Sequence, residues 1–149
     1  MIKKLSIGLL SLGLVHAAIA DQKMTGLDLS GTYICSGYDS HDGGFAGSKL
    51  TLALDAKDSL PQDGYGAYHY NVVTSGGTKY TGEASSSGNT LAMYFANTTP
   101  NQQSDHGVSI GFVTHDKNNS GQVQTQIHKF YYEPQYEGGG NGSETCVKQ

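Results

Sequence analysis

Residues 29–42, LSGTYICSGYDSHD, decide how the rest of the chain is read. Their side chains alternate, with Thr32, Ile34, Ser36 and Tyr38 on one face and Tyr33, Cys35 and Gly37 on the other, which is the period of a β-strand. The stretch carries Cys35, the first of only two cysteines, and the second, Cys146, stands three residues from the C-terminus. A bond between them would tie the first strand to the last and so close a sheet on itself. Two free thiols or a redox pair are the alternatives. The two residues lack the C-x-x-C spacing, so a structural disulfide is the favoured reading, and it implies an oxidising compartment.

Upstream, Lys3 and Lys4 precede the apolar run 5–15, and Ala18-Ile19-Ala20 forms a small-x-small site. Residues 1–20 are expected to be a secretory signal cleaved before Asp21. The apolar run is too short for a bilayer, which takes about 20 residues, and no cysteine follows it for a lipid anchor. Residues 21–149 are then one secreted or periplasmic domain, with no membrane span after cleavage. Without Lys3 and Lys4 the chain keeps seven basic residues against thirteen acids, a charge of −6, and arginine is absent. Nucleic-acid binding needs a basic face and is excluded as a reading, and anionic lipid is disfavoured for the same reason. Ten tyrosines, twenty-one glycines and no tryptophan suit a β protein with many turns.

Downstream, period two continues. Strands are expected over 31–38, 49–55, 67–74, 78–85, 90–97, 107–115, 122–132 and 143–148. Leu50, Leu52 and Leu54 share a face, as do Leu91, Met93 and Phe95, and Val108, Ile110 and Phe112. Segments 40–47, 56–66, 98–106 and 133–142 read as connections, and Ser75-Gly76-Gly77 reads as a tight hairpin. No helical period follows residue 20. The expected fold is all-β, an antiparallel up-and-down barrel of about eight strands closed by a first-to-last-strand disulfide. An open sandwich with an inter-sheet disulfide is the rival.

Leu29-Ser30-Gly31-Thr32-Tyr33, opening such a meander, resembles the first strand of the calycin barrels, the avidins and lipocalins, with Tyr33 where those families carry tryptophan. The resemblance implies a secreted, non-enzymatic binding module with a small apolar ligand in the barrel mouth. Tyr33, Tyr68, Tyr70, Tyr80, Tyr94 and Phe112 are the candidate lining, and an outer-face position is the alternative for the tyrosines. The tryptophans of an avidin pocket and the lipocalin arginine are missing, so biotin binding is not expected. A second resemblance is to small periplasmic inhibitors of C-type lysozyme. Tyr33-Ile34-Cys35 and Ser75-Gly76-Gly77-Thr78-Lys79-Tyr80 are similar to their motifs. It implies a protein-binding loop built on Ser75, Lys79 and Tyr80 over a solid barrel, with an acidic surface suited to a basic partner. The opening is also similar to small secreted proteins of gammaproteobacteria, which implies no activity.

Three neighbour pairs, His41-Asp42, Asp105-His106 and His115-Asp116, could meet at one rim and hold a metal such as zinc. Adjacent residues of extended chain point apart, so solvated loop positions are the favoured reading and no metal or cofactor is assigned. His69 and His128 are expected on the outer face. No catalytic residue is assigned either. The chain has no G-x-S-x-G elbow, Walker A motif, dinucleotide fingerprint or H-E-x-x-H. None of Glu83, Glu133, Glu137 and Glu144 stands in an apolar setting that would raise its pKa.

Overall fold

The computed structural model describes residues 28–102 and 104–149, so the expected signal segment lies outside the described residues. Eight strands follow in chain order: β1 (Gly31–Asp39), β2 (Gly43–Leu54), β3 (Tyr65–Val73), β4 (Lys79–Ser87), β5 (Thr90–Asn97), β6 (His106–Lys117), β7 (Val123–Glu133) and β8 (Gly140–Lys148). Each pairs antiparallel with the next, and β1 pairs with both β2 and β8, which closes the barrel. The up-and-down barrel is the fold and the sandwich is excluded. Closure leaves no strand with unpaired backbone at an edge. Cys35 and Cys146 lie directly opposite each other across β1 and β8 and are bonded.

Two strands are longer than their composition suggests. β2 begins at Gly43, inside the stretch read as a connection. The ladder steps from Cys35↔Ser48 to Ser36↔Ala46, which leaves Gly47 as the extra residue of a β-bulge. Its φ of +86° is the left-handed region that glycine tolerates. The bulge breaks period two, which hid the strand. β8 begins at Gly140, inside another expected loop. Gly142 faces the interior, where a Cβ would sit 2.2 Å from the Tyr131 hydroxyl. A glycine that looks like a turn signal is here the space that a ring occupies.

Leu50, Leu52, Leu91, Met93 and Phe95 face inward. Val108, Ile110 and Phe112 do share one face of β6, but it is the outer one, and they are 54, 45 and 52% exposed. Gly107, Ser109, Gly111 and Val113 face inward instead. A Cβ on Gly107 would meet Phe95 Cζ at 2.5 Å, and one on Gly111 would meet Ile127 Cγ2 at 2.9 Å. Large neighbours on β5 and β7 already fill the space, so the inner face of β6 must be small.

The interior divides along the barrel axis. At one end Leu29, Tyr33, Leu50, Leu52, Tyr68, Leu91 and Ile127 form a fully buried apolar plug. Within the plug the Leu29 carbonyl accepts from Tyr33 Oη at 2.7 Å and its N–H donates to Tyr68 Oη at 3.3 Å. At the other end the buried side chains are polar: Asp39, Asn97, Asp105, Lys129, Glu133 and Glu144. Eight strands leave room for a packed core or one small ligand. This barrel packs one end and leaves the other as a cup.

Candidate ligand-binding cup

The floor of the cup is built by β7. Its inward face continues from Ile127 through Lys129 and Tyr131 to Glu133. Lys129 is only 5% exposed. Its Nζ lies 2.5 Å from Glu144 Oε1 and donates to Tyr70 Oη at 2.6 Å. The same ammonium stands over the rings of Tyr70, Phe95 and Tyr131, 5.1 to 5.7 Å from their centroids. A buried charge costs several kcal/mol unless it is well paired, and this one is compensated by Glu144, Tyr70 and three ring faces. Burial alone would lower its pKa, but Tyr70 and Glu144 outweigh burial and hold it above the ordinary lysine value. Lys129 therefore stays charged. Burial pushes the Tyr70 hydroxyl up, against the pull of Lys129.

Above the floor, two tyrosines each donate to a carboxylate. Tyr131 Oη donates to Asp39 Oδ2 at 2.8 Å, and Tyr80 Oη donates to Asp105 Oδ2 at 2.8 Å. Asn97 Nδ2 donates to the same Asp105 oxygen at 2.9 Å. Burial and then the carboxylate bond raise both phenols far above their ordinary range, so they remain neutral donors. The other Asp105 oxygen, Oδ1, is buried and has no partner among the described residues. Glu133, 7% exposed, is held at about 7 by burial first and then by Asp105 and Asp39, against the attraction of Lys129. At the rim Tyr136 Oη donates to Asp42 Oδ2 at 3.1 Å and is pushed up to about 12 by burial and that bond.

The cup has a volume of about 750 Å3 and takes in Asp39, Tyr70, Tyr80, Asp105, Tyr131 and Glu133 among its lining. That is within the range of small-molecule sites. Four carboxyl groups, Asp39, Asp105, Glu133 and Glu144, meet one ammonium, that of Lys129. Aromatic faces alternate with them, Tyr80 packing edge-on to Phe95 at 5.7 Å. The arrangement accepts hydrogen bonds and positive charge.

Of the residues picked from sequence, Tyr70 and Tyr80 line the cup. Tyr33 and Tyr68 belong to the plug at the opposite end. Tyr94 and Phe112 do not line the interior. They stand on the outer wall, 49 and 52% exposed, each one residue out of phase with an inward neighbour, Phe95 and Val113. Ser75 and Tyr80 of the alternative loop also border the cup, with the Ser75 N–H donating to Ser48 Oγ at 3.2 Å, while Lys79 is exposed. The three His–Asp pairs do not converge. His41 and Asp42 sit at the rim, Asp105 points into the cup while His106 leans on Tyr94 outside it, and His115 and Asp116 are exposed toward the other end of β6. The tightest group of possible metal-ligand atoms among the described residues is Cys35, Glu144 and Cys146, whose two sulfurs are consumed by the disulfide. His69 and His128 are on the outer face.

The expectation for the glutamates is corrected. Glu133 and Glu144 are both buried in the cup, and Glu133 has the raised pKa that the sequence reading denied it. Lys129 and Asp39 are site residues that no sequence motif marks, and Asp105 enters the site as a cup carboxylate rather than as half of a His–Asp pair. For Lys129 the signal was present, since it falls in phase with Ile127 and Tyr131 on a strand whose apolar face must be inward.

The fold and cup define a closed eight-stranded antiparallel barrel, compatible with the calycin type. Among known proteins, no family model, curated protein or solved structure matches the chain. No helix among the described residues is long and apolar enough to cross a membrane.

Proposed function

We propose that the protein is a secreted or periplasmic, non-enzymatic binding module that holds one small molecule in the open end of its barrel. The observation that carries this reading is a cup of about 750 Å3 in which the buried carboxyl groups Asp39, Asp105, Glu133 and Glu144 outnumber the single lysine. The ligand that suits this wall carries an amine or another N–H donor on a compact, partly apolar body. The ammonium or N–H meets Asp105, and the body lies against Tyr80, Phe95 and Tyr131. A wholly apolar molecule would seal the carboxyl groups from water without giving them donors, so the lining favours the amine-bearing class. The disulfide fits an oxidising compartment.

A second reading keeps the same acceptor but supplies it from a protein. Ser75 and Tyr80 border the cup, and a basic partner could insert one lysine or arginine side chain there.

Calorimetric titration with alkyl and aryl amines, against alcohols and carboxylates of matched shape, tests the proposal. Saturable one-to-one heat for amines alone, weakened at least tenfold in Asp105→Asn, is expected. Equal weak heats across all three classes would refute it. Heat only from a basic protein, again lost in Asp105→Asn, would favour the second reading.

A further inference from the structure

Exposed apolar side chains occur singly on several strands of the outer wall, such as Ile34 and Tyr38 on β1 and Tyr65 and Val73 on β3, but over β5, β6 and β7 they are contiguous. There the registers place outward residues side by side in rows. Tyr94 faces Val108, which faces Tyr132; Ala92 faces Ile110, which faces Phe130; and Phe112 lies between Thr90 and His128. Tyr94, Val108, Ile110, Phe112, Phe130 and Tyr132 are each 45 to 54% exposed. None of the eight side chains Ala92, Tyr94, Ala96, Val108, Ile110, Phe112, Phe130 and Tyr132 is charged. On the other strands the exposed apolar residues are interrupted by lysine, glutamate, histidine or asparagine, as Lys49 beside Ile34 and His69 and Asn71 between Tyr65 and Val73 show.

We propose that this β5–β6–β7 face is the contact between two copies of the chain, packed wall to wall about a two-fold axis that passes near Ile110. Several observations select a second copy over other occupants. With about 100 Å2 from each half-exposed large side chain, the patch offers roughly 600 Å2. That is at the upper limit for a monomer's largest apolar patch, and with its polar border it reaches the roughly 800 Å2 per partner of a standard interface. A two-fold contact sets a surface against itself, so any charge in it would meet its own like. The eight side chains of this face are neutral on a chain whose net charge is −4. A charged protein partner would find no complementary ion here. A lipid surface would find no lysine or arginine among the eight side chains, where interfacial binding usually draws on them. Because the barrel has no free strand edge, association through side chains on its wall is the route left open. The face lies outside the cup, so the proposal stands independently of the ligand reading.

Sedimentation equilibrium of the disulfide-bonded chain over a wide concentration range tests it. Ile110→Lys puts like charges at the axis, and Asn71→Lys places the same charge on the outer face of β3 as a control. Wild type and Asn71→Lys are expected to form dimers, while Ile110→Lys weakens the dimer at least about tenfold, the effect of losing a central contact. Should Ile110→Lys fail to fold by circular dichroism, Phe130→Ser is read in its place. A wild type that stays monomeric throughout, or an Ile110→Lys protein that dimerises like wild type, would overturn the proposal. A monomer that pellets with neutral phosphatidylcholine vesicles would overturn it too, and would assign the face to lipid.

Discussion

Replacing Glu133 by glutamine should stabilise the protein, and only above mildly acidic pH. Glu133 faces Asp39, Asp42 and Asp105 across the cup, with Lys129 as the one opposing charge. Burial and those carboxylates raise its ionisation from 4.5 to about 7. Below pH 4.5 the group is protonated whether the chain is folded or not, so it carries no penalty. As pH rises from 4.5 to 7, the unfolded chain loses the proton while the folded chain keeps it, and stability falls. Above 7 the full penalty is present and constant. At about 1.4 kcal/mol per pH unit, the shift corresponds to roughly 3 kcal/mol. Glutamine is close to the protonated glutamate in shape and cannot ionise. The variant should match wild type at pH 4.5 and exceed it by up to about 3 kcal/mol at pH 8. In a domain of this size that is a rise in Tm of roughly 10 °C. Urea unfolding at both pH values, with the disulfide intact, measures the difference directly. A variant no more stable than wild type at pH 8, or equally stabilised at both pH values, would refute the reasoning.

Other perturbations follow from the same interior. Lys129→Met should destabilise by about 3–5 kcal/mol in urea unfolding, because Glu144 is left buried without its cation. Adding Glu144→Gln should recover much of that loss. Gly142→Ala should cost about 1–3 kcal/mol, since the new methyl displaces the Tyr131 ring; a second cost, the lost Tyr131–Asp39 bond, should disappear in a Tyr131→Phe background. Replacing both Cys35 and Cys146 by serine frees a 111-residue separation, and the chain-entropy estimate for such a loop is up to about 4.7 kcal/mol, read as a lowered denaturation midpoint.

Strand number, order and closure were legible in the sequence because they rest on period two, short links and one cysteine pair. What stayed hidden was which face of each strand is inward. Alternation separates two faces without ranking them. In β6 the apolar face is the outer one, because Phe95, Met93 and Ile127 already occupy the space beside Gly107 and Gly111. The glycines of β2 and β8 misled for a related reason: as bulge and as clearance for a ring, they carry the same letter as a turn. The cup was hidden by its composition. Asp39, Lys129, Glu133 and Glu144 read as surface residues, since charged side chains are seldom fully buried unless paired. Their partners, Tyr131, Tyr70 and one another, come from strands far apart in sequence. Lys129, in phase with Ile127 and Tyr131, and Glu144, in phase with Cys146, gave notice of charges inside.

Native mass spectrometry of the protein, purified without chelator from the cells that make it, tests the proposed binding most directly. The account predicts a second, non-covalent mass that is lost on denaturation and absent from Asp105→Asn, and that behaves as an amine or other N–H donor when identified. A bare chain, two hydrogens below its reduced mass and with nothing bound in either protein, would contradict it.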